Sequence, residues 1–155
     1  MKIAVAADHA GFEMKELLRT HIAAAGHEVL DYGTDSATRP DDYPDFALAL
    51  GTALVHGEAE RGVLICGSGV GASVAVNKIP GVRGGLCHDH YSAAQGVEHD
   101  DMNVLVMGSR VIGIATAKDL VTAFLGAKFT GEERHVRRLE KVQAIEANPP
   151  TKERP

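Results

Sequence analysis

The strongest constraint on the fold is an alternation: short, largely apolar runs suited to strands are separated by longer segments in which apolar residues recur at helical spacing. The runs are "KIAVAA" (2–7), "HEVLDY" (27–32), "GVLICG" (62–67), "VRGGLC" (82–87) and "NVLVMG" (103–108). Between them, residues 13–25 place Met14, Leu17, Leu18 and Ile22 on one helical face, and residues 46–55 place Phe46, Leu50 and Leu54 four apart. Residues 71–77, 91–97, 114–125 and 132–147 supply further helices, and a polar tail, "NPPTKERP", follows at 148–155. Runs such as "GVLIC" do not alternate in polarity, so both faces of their sheet must be covered. The pattern predicts one domain over 1–147: a doubly wound α/β fold, Rossmann-like or flavodoxin-like, with a five-stranded parallel sheet, helices on both faces and a C-terminal helix.

In such a sheet the ligand lies beyond the carboxyl ends of the strands, where strand order reverses; the order 2-1-3-4-5 puts that point between the first and third strands. The first strand runs into Asp8 and His9, and the third into Cys66, Gly67, Ser68 and Gly69. A carboxylate, an imidazole, a thiol and a hydroxyl are therefore expected around one crevice. A net charge of −5 argues against general nucleic-acid or acidic-membrane binding, so any cationic site must be local. The two cysteines, Cys66 and Cys87, each end an apolar run and read as reduced thiols. With no signal-peptide pattern and no run of membrane-spanning length, the expected location is the cytoplasm.

The loop "CGSGVGAS" (66–73) narrows the chemistry. Its glycines at 67, 69 and 71 miss the G-x-G-x-x-G spacing of a dinucleotide site, and no G-K-[ST] follows for a nucleotide phosphate loop. Ser68 lacks the glycines two before and two after it that a hydrolase nucleophile elbow has, and no arginine closes the loop as in a cysteine phosphatase. What remains is either a tight turn beside a buried thiol or a set of backbone N–H groups gathered at a helix start, able to hold a phosphate or an enediolate. The dipole of that helix favours an anion there.

"AADHAGF" (6–12), "DYPDFA" (42–47), "LICGSGVGASVAVNKIPGVR" (64–83), "YSA" (91–93), "HDDMN" (99–103), "MGSRVIG" (107–113) and "ERHVRRLEKV" (133–142) together resemble the ribose-5-phosphate isomerase B family, which includes galactose-6-phosphate and allose-6-phosphate isomerases. The resemblance runs in order from residue 1 to about 147. It implies a single sugar-phosphate isomerase domain of the pentose phosphate pathway, interconverting aldose and ketose phosphates through a cis-enediolate without metal or cofactor. By the resemblance, Cys66 is the carbon base, Ser68 and the amides of Gly67, Gly69, Val70 and Gly71 stabilise the enediolate oxygen, and Asp8 contacts substrate hydroxyls. His99 opens the furanose ring, with Tyr43 and Asp100 beside the substrate; His9, Arg134 and Arg138 contact phosphate, and Arg110 is a further cation. The resemblance also implies a homodimer or homotetramer with its site at a subunit interface.

The residues agree with this chemistry independently. A proton beside a carbonyl is weakly acidic, so its removal needs a base and donors aimed at the developing oxyanion; Cys66 and the loop can supply both. Some relatives carry a carboxylate base one turn into the helix, where this chain has Ala75. Asp100 stands where asparagine is common, and an ionised carboxylate accepts hydrogen bonds but donates none. Arg134 and Arg138, four apart, share a helical face with Glu132 and Glu133 nearby; a salt-bridged surface is the plain reading, and phosphate capture by guanidinium forks the functional one. Arg137 reads as surface. "CHDHY" (87–91) matches no zinc spacing, and Asp89 reads as a helix cap. Two other classes compete: a non-catalytic sugar-phosphate sensor, which would need the arginines but not Cys66 and His99, and a thiol redox module. The latter wants a resolving cysteine close to Cys66, and Cys87 is not at C-x-x-C spacing.

Overall fold

The computed structural model describes residues 1–150; the last five residues of the expected tail lie outside the described residues. The strands are β1 (Lys2–Ala7), β2 (Glu28–Asp31), β3 (Arg61–Cys66), β4 (Gly84–Leu86) and β5 (Val104–Gly108), with helices α1 (Phe12–Ala24), α2 (Tyr43–Val55), α3 (Val70–Val76), α4 (His90–Asp100), α5 (Ile114–Gly126) and α6 (Glu133–Ala147). All pairings are parallel, and the sheet order is β2-β1-β3-β5-β4.

The last two strands thus exchange places relative to the 2-1-3-4-5 order. The reason is burial. β5, "VLVMG", is buried along its whole length and needs a strand on either side, whereas β4 is three residues with two glycines and a half-exposed Leu86. A short, glycine-bearing strand is tolerated at an edge and wastes a central position. The reversal between β1 and β3 survives the exchange, so the crevice stays where the sequence put it.

Period-two alternation divides the core into two layers. Ile3, Val5, Val63, Ile65, Leu105 and Met107 face α1, α4 and α5, among them Leu18, Ile22, Val97, Leu120 and Phe124. On the other face Ala4, Ala6, Leu64, Cys66, Val104 and Val106 meet α2 and α3 through Ala47, Leu50, Ala72 and Val76. The alanines on this side allow the two helices a close approach, and they bring the start of α3 down onto the strand ends.

Three helices differ from their expected form. Leu17 is exposed, and Lys15 takes its place in the buried stripe because its ammonium reaches Asp31 at 2.7 Å and Glu16 at 3.1 Å while its stem stays in the core. α2 begins at Tyr43, with Pro44 in its first turn, where a fixed φ and a missing N–H cost nothing. α4 continues through Asp100, so His99 and Asp100 belong to its last turn; Asp89 caps its start, accepting the Ser92 N–H at 2.8 Å.

Candidate active site

The crevice is built from three strand ends stitched together. After β1, the Asp8 N–H donates to the Ile65 carbonyl at 3.3 Å; after β5, the Ser109 and Arg110 N–H groups donate to the carbonyls of Cys66 and Gly67 at 2.9 and 3.0 Å. The Ser109 hydroxyl adds a bond to the Ala10 carbonyl at 2.7 Å. Gly69 turns the chain into α3 with φ +82°, and a Cβ there would lie 2.5 Å from a Leu86 methyl and 3.0 Å from the Met107 backbone. Only glycine fits both the left-handed conformation and the space. The turn brings the Gly69 N–H to the Cys66 sulfur at 3.1 Å, and the Val70 N–H to the Ser68 hydroxyl at 3.2 Å.

The walls carry the expected side chains. The Tyr43 ring lies against Gly71, where a Cβ would approach it to 2.7 Å, and the Arg110 side chain is 3.6 Å from the corresponding position on Gly67. Asp8 is buried and accepts the Gly11 N–H at 3.1 Å. Burial dominates over that bond and over nearby His9, and raises its carboxyl above the ordinary value of 3.8. The His9 ring Nδ1 and its backbone N–H both meet Asp41 Oδ1, at 2.7 and 2.9 Å. Burial alone would raise Asp41, but the bonds from the His9 backbone and ring, with Thr34 beside them, outweigh it and hold the carboxyl below its usual range. Asp8, His9, Tyr43, Cys66, Gly67, Ser68, Gly69, Val70, Gly71 and Arg110 thus form one group.

The other four candidates form a second group elsewhere. α4 runs back against the strand direction, and its eleven residues span roughly 16 Å. His99 and Asp100 therefore sit toward the amino-terminal edge of the sheet, opposite Cys66. There the His99 ring stacks on His135 of α6 with centroids 4.0 Å apart, and its Nδ1 meets the Gln95 amide at 2.7 Å. His135 is buried and bonded to Thr130 at 2.7 Å; burial first, then His99 and Arg134, lowers its pKa from the ordinary 6.5. Arg134 and Arg138 flank it on exposed α6, Arg134 paired with Glu132 at 2.9 Å. Within one chain these residues cannot share a ligand with Cys66.

Cys87 packs in the core layer on the opposite face of the sheet from Cys66 and lines one cavity with Gln95 and Asp100. Burial, then the nearby Asp89 carboxylate, pushes its thiol up to about 11, so it stays protonated. Among the described residues, no three His, Cys, Asp or Glu side chains are placed to hold a metal ion, and no helix is long and apolar enough to cross a membrane.

The model of the ribose/galactose isomerase family matches residues 3–142. The chain belongs to this family. Among its relatives, ribose-5-phosphate isomerase B of Escherichia coli (strain K12) is 46% identical over 145 residues, covering 94% of this chain and 96% of that protein. D-erythrulose-4-phosphate isomerase of Pectobacterium atrosepticum is 37% identical over 84% of this chain and 86% of its own length. The structure of Clostridium thermocellum ribose-5-phosphate isomerase B superposes with a TM-score of 0.92 at 41% identity, covering 95% of this chain and 98% of that one.

For this member of the family, the sequence points to the crevice residues but not to their supports. Asp41, Gln95 and His135 each touch a candidate site residue and were not singled out. Gln95 carried a usable signal: it lies four residues before His99, so a helix through both places them on one face. Nothing local marks Asp41, whose partner is 32 residues away.

Proposed function

We propose that this chain interconverts ribose 5-phosphate and ribulose 5-phosphate by metal-independent proton transfer. The observation that carries the reading is the Cys66 sulfur held by the Gly69 amide in a crevice shared with Asp8, His9, Ser68 and Arg110. The Cys66 thiolate takes the C2 proton of the open-chain aldose, leaving a cis-enediolate whose negative oxygen meets the amides of Gly67–Gly71 and the Ser68 hydroxyl. The proton returns to C1, while the O2 hydroxyl proton is transferred to O1. Asp8 and Tyr43 hold sugar hydroxyls. In the preceding step His99 takes the proton from the anomeric hydroxyl and delivers one to the ring oxygen, with Asp100 accepting from a sugar hydroxyl. His9, Arg134, Arg138 and Arg110 bind the phosphate end.

Because His99, Asp100, Arg134 and Arg138 lie at the sheet edge opposite Cys66, a second copy must deliver them. The working unit is therefore a homodimer, or a homotetramer of such dimers, with sites between copies. Two free, buried thiols suit the reducing cytoplasm. The relative acting on D-erythrulose 4-phosphate favours one other reading, a four-carbon substrate at the same site.

The test is incubation with ribose 5-phosphate, allose 6-phosphate, galactose 6-phosphate and a tetrose phosphate in deuterated water. Fastest turnover of ribose 5-phosphate, with deuterium entering the carbon next to the carbonyl, is the expected result. Phosphate-dependent binding without turnover of any of them would leave a sensor instead.

A further inference from the structure

We propose that Asp41 is a positioning residue for His9, accepting the ring's Nδ1–H so that Nε2 is the nitrogen turned toward the sugar phosphate, where the protonated ring donates Nε2–H to a phosphate oxygen. The inference rests on the reading that His9 meets the substrate.

The geometry is a double clamp. Asp41 Oδ1 accepts the His9 backbone N–H at 2.9 Å and meets ring Nδ1 at 2.7 Å, fixing both the main chain after β1 and the ring that leaves it. An ionised carboxylate has no proton to give, so Nδ1 must be the donor. A free neutral imidazole in water prefers its proton on Nε2; Asp41 holds a proton on Nδ1 instead and leaves Nε2 without a protein partner among the described residues, so that a second proton taken up beside phosphate sits on Nε2 and faces it. The asymmetry of burial suits the division of labour: the Asp41 side chain is 13% exposed and the His9 side chain 35%. The support is inside, and the ring it supports reaches the crevice.

Asp41 also ties two walls of the crevice together. It lies two residues before Tyr43, whose ring covers Gly71, on the segment that leads from β2 into α2. That segment is anchored at its start, where the Thr34 N–H donates to the Ala7 carbonyl and the Ala7 N–H to the Gly33 carbonyl, both at 2.7 Å. Asp41 anchors its far end onto His9. A charge-assisted bond of this length is among the stronger single contacts available to a side chain, and fixing a ring before the ligand arrives lowers the cost of binding.

The experiment combines ring 15N NMR of His9 in the full chain with steady-state kinetics on ribose 5-phosphate. The parent should show the Nδ1–H tautomer. Asp41→Ala should move the proton to Nε2 and raise KM about tenfold with kcat within about twofold. Asp41→Asn, whose amide oxygen can still accept from Nδ1, should recover the parent tautomer and most of the affinity. A parent ring protonated at Nε2 alone overturns the proposal without any variant, as does an Asp41→Ala KM that rises with Nδ1 still protonated. His9→Ala run in parallel separates the two readings: an unchanged KM there removes His9 from the substrate and this role of Asp41 with it. If the parent does not turn over ribose 5-phosphate, the substrate reading has failed, and the tautomer still decides the clamp.

Discussion

The Gly69 N–H points at the Cys66 sulfur from 3.1 Å, so the turn that ends β3 gives the thiol a donor before any ligand arrives. On the proposed reading this sulfur is the base that takes the sugar's carbon-bound proton. Cys66→Ser should lower kcat by at least about a thousandfold on every substrate while leaving phosphate competition nearly unchanged, because a hydroxyl in the same place is far too weak a base. Cys87, with its thiol near 11, is the control: Cys87→Ala should be inactivated by iodoacetamide at the parent's rate. Protection from inactivation by Cys87→Ala, or more than a few per cent activity in Cys66→Ser, would remove Cys66 from the chemistry.

His99→Asn should separate ring opening from proton transfer. Ribose 5-phosphate is mostly cyclic, whereas a four-carbon aldose phosphate cannot close a furanose through its phosphate-bearing oxygen. Turnover of the first should fall about a hundredfold or more and of the second only a few-fold, provided the parent accepts both. Equal fractional losses would place His99 in the carbon proton transfer itself.

The distance between the two residue groups predicts complementation. Cys66→Ser and His99→Asn, each inactive alone, should regain about a quarter of the parent's ribose 5-phosphate activity when coexpressed in equal amounts. Random pairing makes half of the dimers mixed, and each mixed dimer carries one intact site. No recovery in a verified heterodimer would mean that both residues of a site come from the same copy.

Asp8 gives a stability prediction with a definite sign. Its folded pKa lies above the unfolded value of 3.8 because of burial, so the folded state holds the proton more tightly. Stability from this group is greatest at pH below 3.8 and declines as pH rises through the folded pKa. Asp8→Asn keeps an acceptor for the Gly11 N–H without the buried charge, and should raise the urea midpoint at pH 7, at fixed protein concentration, with the gain disappearing near pH 3. A lower midpoint than the parent at pH 7 would mean that bonds to the ionised carboxylate outweigh its desolvation.

The sequence by itself determined the elements and the crevice. Strand and helix periodicities are local, and a parallel sheet whose order reverses between β1 and β3 places Asp8, His9, Cys66 and Ser68 together whatever the outer strands do. The glycine loop was legible for the same reason, since a left-handed Gly69 is a property of one residue and its neighbours. The reach of α4 to Asp100 and the start of α2 at Tyr43 were missed because helix ends are set by caps and tertiary contacts, which the apolar period does not contain.

Tertiary structure decided the rest because the deciding interactions join residues far apart in the chain. β5 displaced β4 from its expected place because a strand buried along its whole length gains more from two neighbours than a three-residue strand with two glycines, a competition that no single segment records. Lys15 entered the core in place of Leu17 only because Asp31 arrives on β2 to meet its ammonium. Asp41 acquired His9 in the same way. The separation of His99 from Cys66 follows from helix direction and length in three dimensions: a chain that returns across the sheet through α4 must leave its last turn at the far edge, so both groups were readable as residues and only the fold set them apart.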